Sequence, residues 1–228
     1  MKFQSLFHSI NLIELIYKSP ALVLPNYMAY PSPRSYQIPI VFPTPNKNCL
    51  DLKINTPINP HDSGADWTIL RSSWFAQNFS ENFLLEPVLS GLVALPVANV
   101  REPFVDVEDI ADVAVAALTD SKHIEKLYEL SGPRAISFAE ATEEIGKACG
   151  RDVRYKFISM EQFISELGQV VVLEYLITIM TELFTKVLDG RNSHVTDGVQ
   201  QALGRVPRDF RDYARSAAKT GVWNAKHD

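Results

Sequence analysis

Three side chains near the middle of the chain have the types and spacing to grip a flat molecule: Trp74, Phe75 and Asn78. Two aromatic faces can flank a planar ring while an amide supplies a hydrogen bond. The same residues also fit a plainer role. Phe75, Phe79 and Phe83 recur every four residues, so they suit the buried face of an amphipathic helix, with Asn78 on its solvated side. Both readings stay open from sequence.

The elements that must position these side chains form strand–helix units. Thr68-Ile69-Leu70 is β-branched and apolar, which suits a buried strand. It leads through Arg71 and two serines into a predicted helix from Trp74 to Ser90, stopped near Gly91. The turn thus lies at the carboxyl end of a strand, where open α/β sheets bind ligands. Leu92 to Leu95 and Pro103-Phe104-Val105 are further extended runs. Asp106 is placed to cap a helix with Glu108 and Asp109 in its first turn, and Ile110, Val113, Ala114 and Leu118 as its apolar face. Those acids at that spacing describe a helix start rather than a metal site. Arg71, just after a buried strand, needs an anionic partner, and Asp106 or Asp109 is the expected one.

Lys126 to Leu130 and Val153 to Ile158 alternate as strands. Ser137 and Glu140 form a capping box for a helix that runs to about Cys149 and stops at Gly150, and Ser159 and Gln162 open the next in a similar way. A long apolar helix from Val170 to Asp189 contains Glu174, Glu182 and Lys186, so it reads as a buried or interface helix, not a membrane span. Pro207 suits the first turn of a last helix ending near Thr220.

At these segments a family resemblance becomes visible. Asp66 to Phe79 (DWTILRSSWFAQNF), Pro103 to Leu118 (PFVDVEDIADVAVAAL), Tyr128 to Tyr155 and Val195 to Trp223 resemble the carboxyl-terminal half of the NmrA-like, NAD(P)-binding proteins, atypical short-chain dehydrogenases/reductases, in the branch of ergot-alkaloid dehydrogenase-like and azoreductase-like proteins. One departure is Ser72, where the family usually has proline after the arginine. The resemblance implies NAD(P) as cofactor, Trp74, Phe75 and Asn78 as its contacts at the nicotinamide end, and hydride transfer to a small quinone, imine or azo substrate. Catalytic residues remain unassigned: all eight tyrosines fail the Tyr-x-x-x-Lys spacing on which proton transfer in the wider superfamily usually rests. That absence keeps alternatives in view, a non-catalytic NAD(P)-sensing regulator or an inactive fragment that binds no cofactor.

Residues 1–62 differ in kind, holding nine of the fourteen prolines and no glycine. Such spacing forbids long helices and discourages central strands. The phosphate-binding loop of a dinucleotide fold needs glycines for close backbone approach, yet the first glycine is Gly64 and no Gly-x-Gly-x-x-Gly occurs. The expectation is therefore an α/β protein comprising the carboxyl-terminal part of a Rossmann-like parallel sheet, with the family's cofactor-binding half lacking. Its parts would be an irregular arm (1–62), a partial α/β domain (63–160) and a helical substrate-side cap (161–228).

Composition narrows the partners. With 228 residues, 46% of them apolar, the chain can bury a substantial core, and its net charge of −5 without basic clusters argues against nucleic acid or anionic membranes. The two cysteines, Cys49 and Cys149, and five scattered histidines offer no metal-ligand or triad spacing. A cytoplasmic protein is expected, with a small-molecule substrate and a protein partner or second copy as its associations.

Overall fold

The computed structural model describes residues 39–43, 66–168, 177, 180, 181 and 183–224. The chain is mixed α/β, with its parallel pairings in two small sheets. Strand β1 (Pro39–Pro43) lies antiparallel on β2 (Trp67–Ser72), and β2 pairs in parallel with β5 (Lys126–Leu130). Between them in sequence come helix α1 (Asn78–Glu81), helix α2 (Leu85–Ser90), strand β3 (Leu92–Leu95), strand β4 (Arg101–Glu102) and helix α3 (Val107–Thr119). After β5 follow β6 (Ile136–Ser137), α4 (Phe138–Cys149), β7 (Arg154–Phe157) and α5 (Met160–Gly168). A π-helical turn at Leu183–Val187, α6 (Gly198–Leu203) and α7 (Phe210–Lys219) complete the described residues. Strand β3 pairs in parallel with β7, and β4 antiparallel with β6.

Local chemistry sets many of these boundaries. Asp106 caps α3 by accepting the Glu108 amide at 3.0 Å, and the Ser137–Glu140 capping box is complete in both directions. Gly150 ends α4 with φ of 66°, a left-handed position that costs a side-chain-bearing residue energy. Proline confines β1 to the sheet edge, where a missing amide leaves no ladder bond broken inside the sheet. The remainder of 1–62 lies outside the described residues, as does half of the expected helix from Val170 to Asp189.

Four readings change. Trp74 to Ser90 is not one helix: Phe75 forms a parallel bridge with Val105, and Asn82, in an extended conformation, separates α1 from α2 while its side chain accepts the Phe83 amide at 2.7 Å. Ala117 is buried on α3, whereas Leu118 is exposed. The last helix starts later than Pro207, because the Asp209 carboxylate caps the Arg211 amide at 2.9 Å. Arg71 pairs across the sheet with Glu129 at 3.6 Å, set by the β2–β5 register. Asp109, fully buried, is taken instead by Arg205 and Arg208.

Two apolar clusters meet at the turn after β2. The larger centres on Phe79, Phe104, Phe138 and Phe210, with Phe104 5.2 Å from Phe138 and 5.3 Å from Phe210 between ring centroids. Such pairs add roughly 0.5–1.5 kcal/mol each beyond area burial. Trp223 closes this cluster near the carboxyl end, fully buried, with its indole N–H donating to the Phe79 carbonyl at 2.8 Å. The smaller cluster joins Leu70, Val105, Ile110, Val113, Tyr128, Leu130 and Val199.

Candidate active site

Past Ser72 the chain leaves the sheet and is pinned to the segment before α3 at several points. The Ser73 hydroxyl donates to the Pro103 carbonyl at 2.6 Å, Val105 N–H donates to the Trp74 carbonyl at 2.9 Å, and Ala76 N–H donates to the Val105 carbonyl at 2.9 Å. Gly132 fits beneath: its amide also donates to Pro103, and a Cβ there would collide with the Phe104 carbonyl oxygen. Gln77 completes the link, donating through Nε2 to Asp106 at 2.7 Å and accepting the Val107 amide on Oε1 at 3.0 Å. One side chain thereby ties the turn to the start of α3. No local sequence signal marks it, because its partners are about thirty residues away along the chain.

The three residues singled out from sequence do not share one face. Trp74 packs with the larger cluster, 5.7 Å from Phe138 and 6.5 Å from both Phe83 and Phe184 by ring centroid. Phe75 packs against the smaller cluster beside Val105. Successive side chains of an extended segment point to opposite sides, which separates the two rings. Asn78 begins α1, half-buried, with its Oδ1 accepting from Asn82 at 3.3 Å.

Trp74 is the chemically open member. Its indole Nε1 is buried without a hydrogen-bond partner, although buried indole N–H groups usually find one. Above it, Phe184 belongs to the π-helical turn, and Leu188 shares the cluster. Asn192, in the same overlying stretch, has a buried Oδ1 that is also unpartnered.

Glu102 lies on β4, which leads into the same cluster through Phe104. On β4 it pairs with Ile136, two residues before the Phe138 ring that touches Trp74. It is 2% exposed and its Oε1 has no hydrogen-bond partner. Burial, followed by the negative charge of Asp189, pushes its pKa up to about 7. Strand alternation does not mark its burial, because residues 102 to 106 are all buried.

The other notable groups are structural. His123 Nδ1 and the Tyr128 hydroxyl lie 2.7 Å apart, and the His123 carbonyl takes the Thr68 hydroxyl at the opposite end of β2. Arg134 bridges Asp209 and Glu144, tying the loop before β6 to α4 and α7. His194 lies in the loop before α6, and Cys149 is a half-buried free thiol. Among the described residues no group of three or more His, Cys, Asp or Glu could hold a metal ion, and no helix is long and apolar enough to cross a membrane.

No family model matches the chain. Individual proteins do. The chain is 32% identical over 161 residues to an uncharacterized oxidoreductase of Bacillus subtilis, covering 70% of this chain and 56% of that one. To an NAD(P)H azoreductase of Xenophilus azovorans it is 31% identical over 159 residues, covering 69% and 54%. The prestalk A differentiation protein A of Dictyostelium discoideum is 31% identical over 153 residues, covering 67% and 51%. The chain thus spans about half the length of the curated relatives it matches. Among solved structures, an NADPH-dependent quinone oxidoreductase of Escherichia coli superposes with a TM-score of 0.60 at 21% identity, covering 71% of this chain and 57% of that one. A triphenylmethane reductase of Citrobacter sp. gives a TM-score of 0.56 at 21% identity, covering 65% and 52%. Both neighbours were also solved with bound cofactor, NADPH and NADP(H) respectively.

Proposed function

The chain belongs to the NmrA-like, atypical short-chain dehydrogenase/reductase proteins, and on that premise we propose that it carries the substrate side of an NAD(P)H-dependent reductase acting on a small quinone, imine or azo compound. One observation carries the reading: Trp74, half-buried at the carboxyl end of a parallel strand, presents an unpartnered indole N–H within an aromatic setting of Phe83, Phe138 and Phe184. An indole N–H suits a carbonyl or carboxamide oxygen, and the rings suit a planar partner. This site fits the nicotinamide end of the cofactor and the substrate beside it. When bound, NAD(P)H supplies the hydride; the chain's own residues orient the acceptor and exclude water around it.

Of the three residues that the resemblance implies as cofactor contacts, Trp74 has the strongest case, since its N–H lacks a partner. Phe75 would act through the other cluster, supporting Val105 behind the turn, and Asn78 would contribute its amide from the start of α1. A cytoplasmic setting and self-association or a protein partner belong to the same proposal.

Calorimetric titration of the full chain with NADH and NADPH, followed by quinone and azo-dye reduction, tests it. Micromolar binding with turnover supports the reductase. Tight binding without turnover on any acceptor would instead favour a dinucleotide-sensing regulator. No binding of either nucleotide would sink both and leave a chain that keeps the family's substrate-side fold alone.

A further inference from the structure

Hydride addition to a carbonyl, imine or azo group leaves electron density on the heteroatom, and a proton must meet it. Superfamily members commonly use a tyrosine beside a lysine for this, and the chain has no such pair. A neutral carboxylic acid in a dry wall of the site can serve instead.

We propose that Glu102 is the proton donor of the Trp74 site, a carboxylic acid sealed between the β4–β6 ladder and residues 183–192. This rests on the reductase reading above. The placement follows from the contacts of each neighbour. Glu102 faces inward with Val100 and Phe104, its ladder partner Ile136 leads into the Phe138 ring against Trp74, and Phe184 lies on Trp74 from the overlying stretch. Five residues beyond Phe184 comes Asp189, whose charge reaches Glu102. Trp74, Glu102 and Asn192 each carry a buried side-chain polar atom without a partner. Unsatisfied buried polar groups are costly and rare, so the Trp74 N–H and the Glu102 carboxyl are groups that a polar ligand would complete.

The charged neighbours favour the acid form. Burial is the larger cause, and the Asp189 charge, offset in part by its two-pronged ion pair with Arg191, adds to it. On the ladder itself, Arg101 points to the exposed side and pairs with Glu140 at 2.9 Å. Burial and Asp189 together keep Glu102 protonated to about pH 7. With NAD(P)H bound, the cofactor would supply hydride to the electrophilic atom of the acceptor, whose π electrons would move to the heteroatom. The Glu102 O–H bond breaks, its proton goes to that heteroatom, and the carboxylate left behind regains a proton from solvent.

Infrared difference spectra of the full chain between about pH 5 and about pH 8, without nucleotide, should show a protonated-carboxyl band lost as pH rises and absent from Glu102→Gln. In NADPH-driven quinone reduction, Glu102→Gln should lower the rate about 10²-fold and remove the fall in rate through neutral pH. Asp189→Asn should move that fall to lower pH while leaving the low-pH rate unchanged. A Glu102→Gln protein with wild-type rate and profile overturns the donor and leaves the reductase reading intact. Loss of the carboxyl band only below about pH 5 overturns the donor whatever the kinetics. A wild-type chain that reduces no acceptor overturns both.

Discussion

A buried carboxyl group that stays protonated to neutral pH must leave a trace in stability, independent of any catalysis. In the unfolded chain Glu102 loses its proton near 4.5, whereas in the folded chain it does so near 7. Between those values the native state binds the extra proton, so stability is full below the unfolded pKa and falls as pH rises toward the folded one. A tenfold difference in proton affinity between the two states is worth about 1.4 kcal/mol, and the separation of the two values for Glu102 gives about 3 kcal/mol at most. Above neutral pH the penalty is complete, because the fold then holds a carboxylate with an unpartnered oxygen against Asp189. That is a large fraction of the stability of an ordinary domain.

Glu102→Gln isolates this contribution, since the amide keeps the shape and removes the charge. Urea unfolding of both proteins should be followed at intervals from about pH 5 to about pH 8. The expected result is a difference that grows in favour of the glutamine protein by about 2.5 kcal/mol across that range, with any constant offset at low pH reporting the hydrogen bonding of the amide. A difference that stays flat with pH would refute the reasoning, because it would mean that Glu102 titrates alike in both states.

The remaining expectations concern the scaffold and the turn. Asp109→Ala leaves Arg205 and Arg208 without their buried partner and should cost about 3 kcal/mol in urea unfolding, at the lower end for a buried ion pair because both arginines are over a third exposed. Ser137→Ala breaks the capping box of α4 and should cost about 1 kcal/mol by the same measurement. Gly132→Ala forces a Cβ into the Phe104 carbonyl and should lower the melting temperature by several degrees, with about 2 kcal/mol or more lost. Trp74→Phe keeps an aromatic ring but removes the indole N–H, so NADPH or quinone affinity should drop about 5- to 10-fold while thermal stability changes little.

What sequence conveys and what it withholds divide along the range of the interactions. The Asp106 cap, the Ser137–Glu140 box and the glycine stop at Gly150 are legible because donor and acceptor lie within a few residues. The apolar alternation of β5 likewise places Tyr128 and Leu130 inward. Arg71 is matched to the wrong acid from sequence because its partner depends on the β2–β5 register, which puts Glu129 directly opposite. The helix expected from Trp74 fails because a bridge to Val105 and the bonds to Pro103 hold the chain extended there, and tertiary pairing overrides a four-residue aromatic spacing. Glu102 has no such signal, because residues 102 to 106 are all buried and alternation does not single it out.

That turn also explains why the site can be definite while so much of its surroundings is modest in size. Ser73 holds Pro103, Phe75 bridges Val105, and Gln77 grips both Asp106 and the first amide of α3, so the loop and the helix start behave as one unit. Each bond alone contributes about 1 kcal/mol, but together they leave Trp74 little freedom to turn away from the larger cluster. On the far side, Gly132 lets the chain after β5 close against Pro103, the residue that follows Glu102 on the β4–β6 ladder. The turn that carries Trp74 and the segment that carries Glu102 are thus tied together by backbone and side-chain bonds. The proposed reductase site requires its proton donor and its ring contacts fixed relative to each other, and these bonds tie the two segments without relying on β1 at the edge of the sheet.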